Sequence, residues 1–172
     1  MPNWVDTSWE VTLPTDKVTR FLNYFLTSDD RDKLRGKFLY RTFIVEESVN
    51  VTETSKGISF LSFVSDSAWS LGSIFETGKE DKYGVSRCIG LEDLCKDCDV
   101  ISLTARGDEP MMCFREFIEY VQGENLCYSS EEVTPWMCEK CHTMGYWEDE
   151  DSNADRTICP SCKEKFEEEE DE

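Results

Sequence analysis

The chain has 172 residues, room for one ordinary domain and a small appendage. Its 39% hydrophobic and 12% aromatic content supports a packed core, and no apolar run approaches the ~20 residues of a membrane span. A formal net charge of −19 sets the molecule as a whole against DNA, RNA and anionic membranes, all of which repel it at a distance.

The opening residues, with no basic start and no apolar stretch behind it, do not read as a secretory leader, so a cytoplasmic protein is expected. "SWEVTL" (8–13) reads as a first strand. "PTDKVTRFLNYFL" follows as a helix: Thr15 is placed to cap it, Asp16 suits its positive end, and Val18, Phe21, Leu22 and Phe25 recur at helical spacing. "SDDRDKLRGK" (28–37) is a charged connector. "FLYRTFIVEE" (38–47) and "GISFLSFVSD" (57–66) are strand-like, rich in aromatic and branched residues, with "SVNVTETSK" as the polar turn between them. A loop from Ala68 to Gly84 holds Trp69, expected to pack inward.

"SRCIGLEDLCKDC" reads as a second helix capped by Ser86, with Cys88, Leu91, Leu94, Cys95 and Cys98 on one face. "VISLTAR" is a strand. "MMCFREFIEYVQGENLCYSSEE" fits either a helix or a strand hairpin turning at "QGEN". "SSEEVTP" (129–135) is a polar linker, and "EEEEDE" (167–172) an acidic tail without structure. The order β-α-β-β-α-β with strands added after it is the ferredoxin-like plan, an α+β fold with two helices on an antiparallel sheet. The expected division is 1–130 for this domain, 131–166 for a cysteine-rich module and 167–172 for the tail.

"MPNW" at the start, "LPTDKVTRFLNYF", "DSAWS" (66–70) and "CDVISLTARGDEPMMCFREFIEYVQGE", with Glu109–Pro110 and Phe114 ahead of a hairpin, resemble the YubB-like family of ferredoxin-like domains. The resemblance spans residues 1 to about 130. Val5 stands where a cysteine commonly follows the opening Trp, and Met111 where a glycine commonly follows Glu-Pro. It implies the fold, the hairpin and an origin in phages, plasmids or other mobile elements. It implies no activity and no site residues.

Nine cysteines in a cytosolic chain point to metal or buried thiols rather than disulfides. Cys138-x-x-Cys141 and Cys159-x-x-Cys162 lie 17 residues apart, the spacing of a zinc ribbon. Two intervening residues let a tight turn aim both sulfurs at one point, and two such turns complete a tetrahedron at ~2.3 Å Zn–S. Four thiolates leave no open position on the metal, so the expected Zn2+ is structural and replaces a core. Iron takes the same four thiolates in rubredoxin sites, whose second pair usually lies further away. Gly145 is placed to release the chain into the next strand, and Trp136 with Tyr146 or Trp147 to cover the metal. His142, the one histidine, adjoins Cys141 too closely to be a good fifth candidate.

The other cysteines, Cys88, Cys95, Cys98, Cys113 and Cys127, sit among apolar residues and read as core. Cys95-x-x-Cys98 falls at a helix end beside Asp97 and Asp99, the wrong place for an activated thiol. One histidine, no phosphate-binding loop and carboxylate pairs on adjacent strand residues (Glu46–Glu47, Asp108–Glu109) supply no catalytic set, so an enzyme is not expected. The basic cluster Arg31, Lys33, Arg35, Lys37 and Arg41 is interleaved with aspartates and reads as a salt-bridged surface.

Within the cysteine module, Glu148, Asp149, Glu150 and Asp151 occupy the place where a nucleic-acid-reading ribbon carries Lys or Arg. The expected role is docking on a basic surface of a protein partner. A narrower expectation is an acidic nucleic-acid mimic that inhibits a host defence or nucleic-acid enzyme, of the anti-restriction or anti-CRISPR type. A third is a nucleic-acid-binding ribbon using the basic 31–41 cluster.

Overall fold

In the sequence Trp4-Val-Asp-Thr-Ser-Trp-Glu-Val-Thr-Leu every second side chain is apolar or small, the period of a strand with one covered face. A computed structural model describes residues 4–27, 37–54, 56–68, 70–75, 77–78, 87–109, 114–132, 135–142 and 144–146. Strand β1 (Trp4–Pro14) buries Val5, Thr7, Trp9, Val11 and Leu13 and turns the residues between them outward. Contacts divide the chain into two units, Met1–Glu109 with Arg115–Ser130, and Pro110–Phe114 with Glu131–Glu172.

The remaining elements of the first sheet follow in chain order. Helix α1 is Val18–Leu22, then come β2 (Thr42–Glu53) and β3 (Ile58–Ala68), helix α2 (Leu91–Asp97), β4 (Ser102–Glu109), β5 (Phe114–Val121) and β6 (Cys127–Glu132). The six strands lie in the order β2-β3-β1-β4-β5-β6. β1 sits between β3 and β4 and is antiparallel to both; β2 is antiparallel to β3. The architecture is α+β, an antiparallel sheet with two helices.

The helices pack on the face that holds Trp9. Phe21 and Phe25 meet Trp9 and Phe63 in an aromatic cluster with centroids 4.9 to 6.3 Å apart. Trp9 also stacks on Phe63 at 5.8 Å, and its indole N–H donates to Ser65 Oγ at 2.8 Å, so the one polar atom of a buried ring is satisfied. Leu91, Leu94, Cys95 and Cys98 of the second helical segment are all buried.

Both helices are shorter than their periodicity predicts. Thr15 does not cap α1; its hydroxyl meets Ser59 Oγ at 2.9 Å on β3, and a 3-10 turn (Thr15–Lys17) leads into the helix. After Leu22 the chain tightens, with the Phe25 N–H donating to Leu22 O. Leu26 then joins the edge of β2: its N–H donates to Thr42 O and its carbonyl accepts from Ile44. Strand hydrogen bonds thus replace the last helical turn. In α2 the residue at the N-cap is Gly90, and the predicted cap Ser86 lies outside the described residues.

β2 runs through Ser48–Glu53, the segment read as a turn. The register slips between Val45 and Asn50. Ser48 spans the gap: its hydroxyl donates to Val45 O at 2.6 Å and accepts the Val64 N–H at 2.8 Å. A bulge kept in the ladder by a side-chain hydroxyl lets a polar stretch remain strand. The 114–132 segment is the hairpin, not the helix, turning at Gly123 with φ 88°. β6 takes in Ser129–Glu132, so the first half of the expected linker is strand.

Candidate metal centre

Pro135–Met137 (β7) and Met144–Tyr146 (β8) form a separate two-stranded sheet, with Pro135 opposite Tyr146, Trp136 opposite Gly145 and Met137 opposite Met144. Cys138 and Cys141 lie in the turn that joins them. The His142 N–H donates to Cys138 O at 2.9 Å, closing the turn, and His142 takes a left-handed φ of 58°. Cys138 is buried and Cys141 exposed. The Cys138-x-x-Cys141 stretch thus forms a tight turn at the tip of the β7–β8 hairpin, closed by a backbone bond onto the first cysteine's carbonyl.

Gly145 stands past the turn, opposite Trp136. It lies in β8, and the left-handed position falls to His142, a residue type that tolerates it better than most. The His142 side chain is exposed. Cys159, Cys162 and the acidic residues Glu148, Asp149, Glu150 and Asp151 lie outside the described residues, as do Trp147 and the side chains of Trp136 and Tyr146. Among the described residues no group of three or more His, Cys, Asp or Glu converges on one point. The two described cysteines fit one half of a four-thiolate site.

The third Cys-x-x-Cys is of another kind. Cys95 and Cys98 are fully buried on α2 and at its end. Burial, and then the neighbouring Cys98, push the Cys95 thiol up to about 12; burial, and then Asp97, push Cys98 up to about 11. Neither is a thiolate at neutral pH, as core thiols require. Cys88 is also buried, whereas Cys127 on the edge strand β6 is exposed and not core; Cys113 and Trp69 lie outside the described residues.

Of the basic cluster, Lys37 and Arg41 are described and exposed, and the Arg41 guanidinium lies 5.2 Å from the Tyr40 ring centre. Glu46 and Glu47 are exposed. Asp108 is ion-paired to Arg115 at 2.7 Å and Arg106 at 3.3 Å.

One buried carboxylate escaped the sequence reading. Glu116 on β5 is 1% exposed and accepts from Ser70 Oγ at 2.5 Å, from the Leu71 N–H at 2.8 Å and from the Tyr128 hydroxyl. All its partners belong to the protein, so it clamps the 70–74 turn to the β5–β6 hairpin. Its position on the covered face of an alternating strand was the available signal.

No helix among the described residues is long and apolar enough to cross a membrane. No family model matches the chain, and neither does any curated protein or solved structure.

Proposed function

We propose that the chain is a non-enzymatic interaction protein of phage or other mobile-element origin, in which a ferredoxin-like domain of the YubB-like kind carries a structural zinc ribbon that docks on a basic surface of a protein partner in the cytoplasm. The observation that carries the ribbon is the Cys138–Cys141 turn at the tip of the β7–β8 hairpin, matched by a second Cys-x-x-Cys at ribbon spacing. When bound, Zn2+ supplies four bonds that hold the module together. Element order and the position of β1 between β3 and β4 support the ferredoxin-like reading, with the β5–β6 hairpin added beyond β4.

The acid run Glu148–Asp151 and the net charge of −19 support a basic partner. The test is affinity capture of binding partners by the tagged, zinc-loaded chain, washed at low and high salt, with bound protein and nucleic acid both identified. The reading expects a protein released by salt, and its release at lower salt from a variant carrying amides at 148–151. Unchanged binding and salt dependence in that variant removes the docking role of the loop.

The charge also favours one narrower reading: a protein whose acids stand in for phosphates in the channel of a host nuclease or restriction complex. Competition with DNA or RNA for the captured enzyme distinguishes it from docking elsewhere. Nucleic acid retained on the chain through the washes favours a nucleic-acid-binding ribbon instead.

A further inference from the structure

α1 and α2 pack on one face of the six-stranded sheet; among the described residues of the first unit, no helix packs on the other. Alternation turns Trp4, Asp6, Ser8, Glu10 and Thr12 of β1 onto this open face. The register sets Asp6 directly opposite Asp66 of β3 on one side and Asp108 of β4 on the other. Three carboxylates therefore lie in one row across three strands.

Only one of them is compensated. Asp108 pairs with Arg115 and Arg106. Asp6 and Asp66 face each other across the β1–β3 ladder and have no cation within ion-pair distance among the described residues. Like charges directly opposite on paired strands oppose folding. The cost shows in Asp66, whose carboxyl is raised above the usual range by burial first and by Asp6 second.

Aromatic surface lies beside the pair. Trp4 is 40% exposed and meets Phe43 edge-on at 5.8 Å, and Phe43 is the register partner of Asp66. Further along, Phe60 is 54% exposed at the rim of a shallow hollow of about 400 Å³ that also takes in Glu10, Asn50, Thr52 and Thr104. An indole next to two uncompensated carboxylates is complementary to a guanidinium or ammonium group, by charge and through the ring face. The same charges repel phosphate.

We propose that this open sheet face docks a basic segment of a protein partner, with an Arg or Lys side chain seated by Asp6 and Asp66 against Trp4 and an apolar side chain further along the segment against Phe60, six residues down β3 from Asp66. The proposal rests on the reading that the partner is a basic protein, and it assigns the contact to residues separate from the 148–151 loop. The seated cation removes the Asp6–Asp66 repulsion, and Phe60 loses exposed apolar surface.

The test follows backbone amide and tryptophan indole resonances of the isotope-labelled, zinc-loaded full chain. The probe is a synthetic peptide of alternating arginine and leucine; a glutamate–leucine peptide and oligothymidylate are the controls. The arginine peptide is expected to shift Trp4, Asp6, Phe60 and Asp66, and the controls to leave them. Asp6→Asn with Asp66→Asn is expected to weaken this binding by roughly tenfold, the size of a partly desolvated ion pair with a ring contact. The double variant removes repulsion and keeps or raises the melting temperature, so lost binding is not lost folding. The variant with amides at 148–151 is expected to keep the face shifts. Shifts confined to the 148–172 segment overturn the proposal and leave ribbon docking standing. No shift anywhere overturns both, and oligothymidylate shifting the face overturns the choice of a protein partner.

Discussion

Arg20 on α1 and Asp97 at the end of α2 form a two-point ion pair, Nε to Oδ2 at 2.7 Å and Nη2 to Oδ1 at 2.6 Å. The Tyr24 hydroxyl donates to the same carboxylate, and Lys17 reaches the neighbouring Asp99 at 3.4 Å. Two short helices, far apart in the chain, are thus joined at one polar node. The Tyr24 hydrogen bond, and then Arg20, hold the Asp97 carboxyl below its ordinary value.

A depressed carboxyl pKa stabilises the fold above the unfolded value, near pH 4, and that contribution is lost as pH falls through the folded value. Asp97→Asn is therefore expected to lower stability at neutral pH and to converge on the parent protein in acid. The side chains are 53% and 32% exposed, so the loss is small and shrinks further in salt. Urea unfolding across the acid range measures it.

Glu116 carries a larger stake. Glu116→Ala leaves the Leu71 N–H and two hydroxyls without their acceptor inside the protein. It is expected to cost about 3 kcal/mol in denaturant unfolding, against about 1 kcal/mol for Tyr128→Phe, which removes one donor. The double variant is expected to cost less than the sum, because the Tyr128 bond has gone in both.

Zinc content separates the three Cys-x-x-Cys pairs. Cys138→Ser or Cys159→Ser is expected to abolish stoichiometric zinc by elemental analysis, and chelation to unfold the β7–β8 hairpin while the six-stranded sheet stays folded. Cys95→Ala with Cys98→Ala is expected to retain the metal. His142→Gly is expected to retain it too and to steady the turn, since glycine takes φ 58° without strain.

The buried thiols have their own signature. With Cys95 pushed up to about 12 and Cys98 to about 11, both are expected to resist a disulfide reagent at neutral pH in the native protein. Exposed Cys127 reacts at once, and the buried pair only on unfolding. Rapid native reaction at Cys95 counts against core thiols.

Gly90 leaves no room for a side chain. A Cβ there meets the Phe75 carbonyl oxygen at 2.5 Å, and the Gly90 N–H donates to Thr77 Oγ1 at 2.8 Å. Backbone cannot swing aside as a side chain does, so Gly90→Ala is expected to cost about 1–3 kcal/mol by thermal or urea unfolding, the range for overpacking.

Much of the fold was legible because its signals are local. The alternation of β1, the 3.6-residue rhythm around Phe21 and Phe25, the turn at Gly123 and the spacing of Cys138 and Cys141 each lie within a few residues. What failed depended on another strand. Thr15 reads as a cap until Ser59 is placed beside it, and "SVNVTETSK" reads as a turn until Val64 meets the Ser48 hydroxyl.

By itself the amino-acid sequence determined the alternation of β1, most of the element order, the spacing of the cysteine pairs and the acidity of the whole, since periodicity, composition and spacing are carried by neighbours along the chain. It left 111–132 open between helix and hairpin. Tertiary structure alone decided that Asp6, Asp66 and Asp108 share a row, that Glu116 is buried among three donors, and that Arg20 meets Asp97. These groups lie tens of residues apart in the chain, and only strand register and helix packing bring their charges within reach of one another.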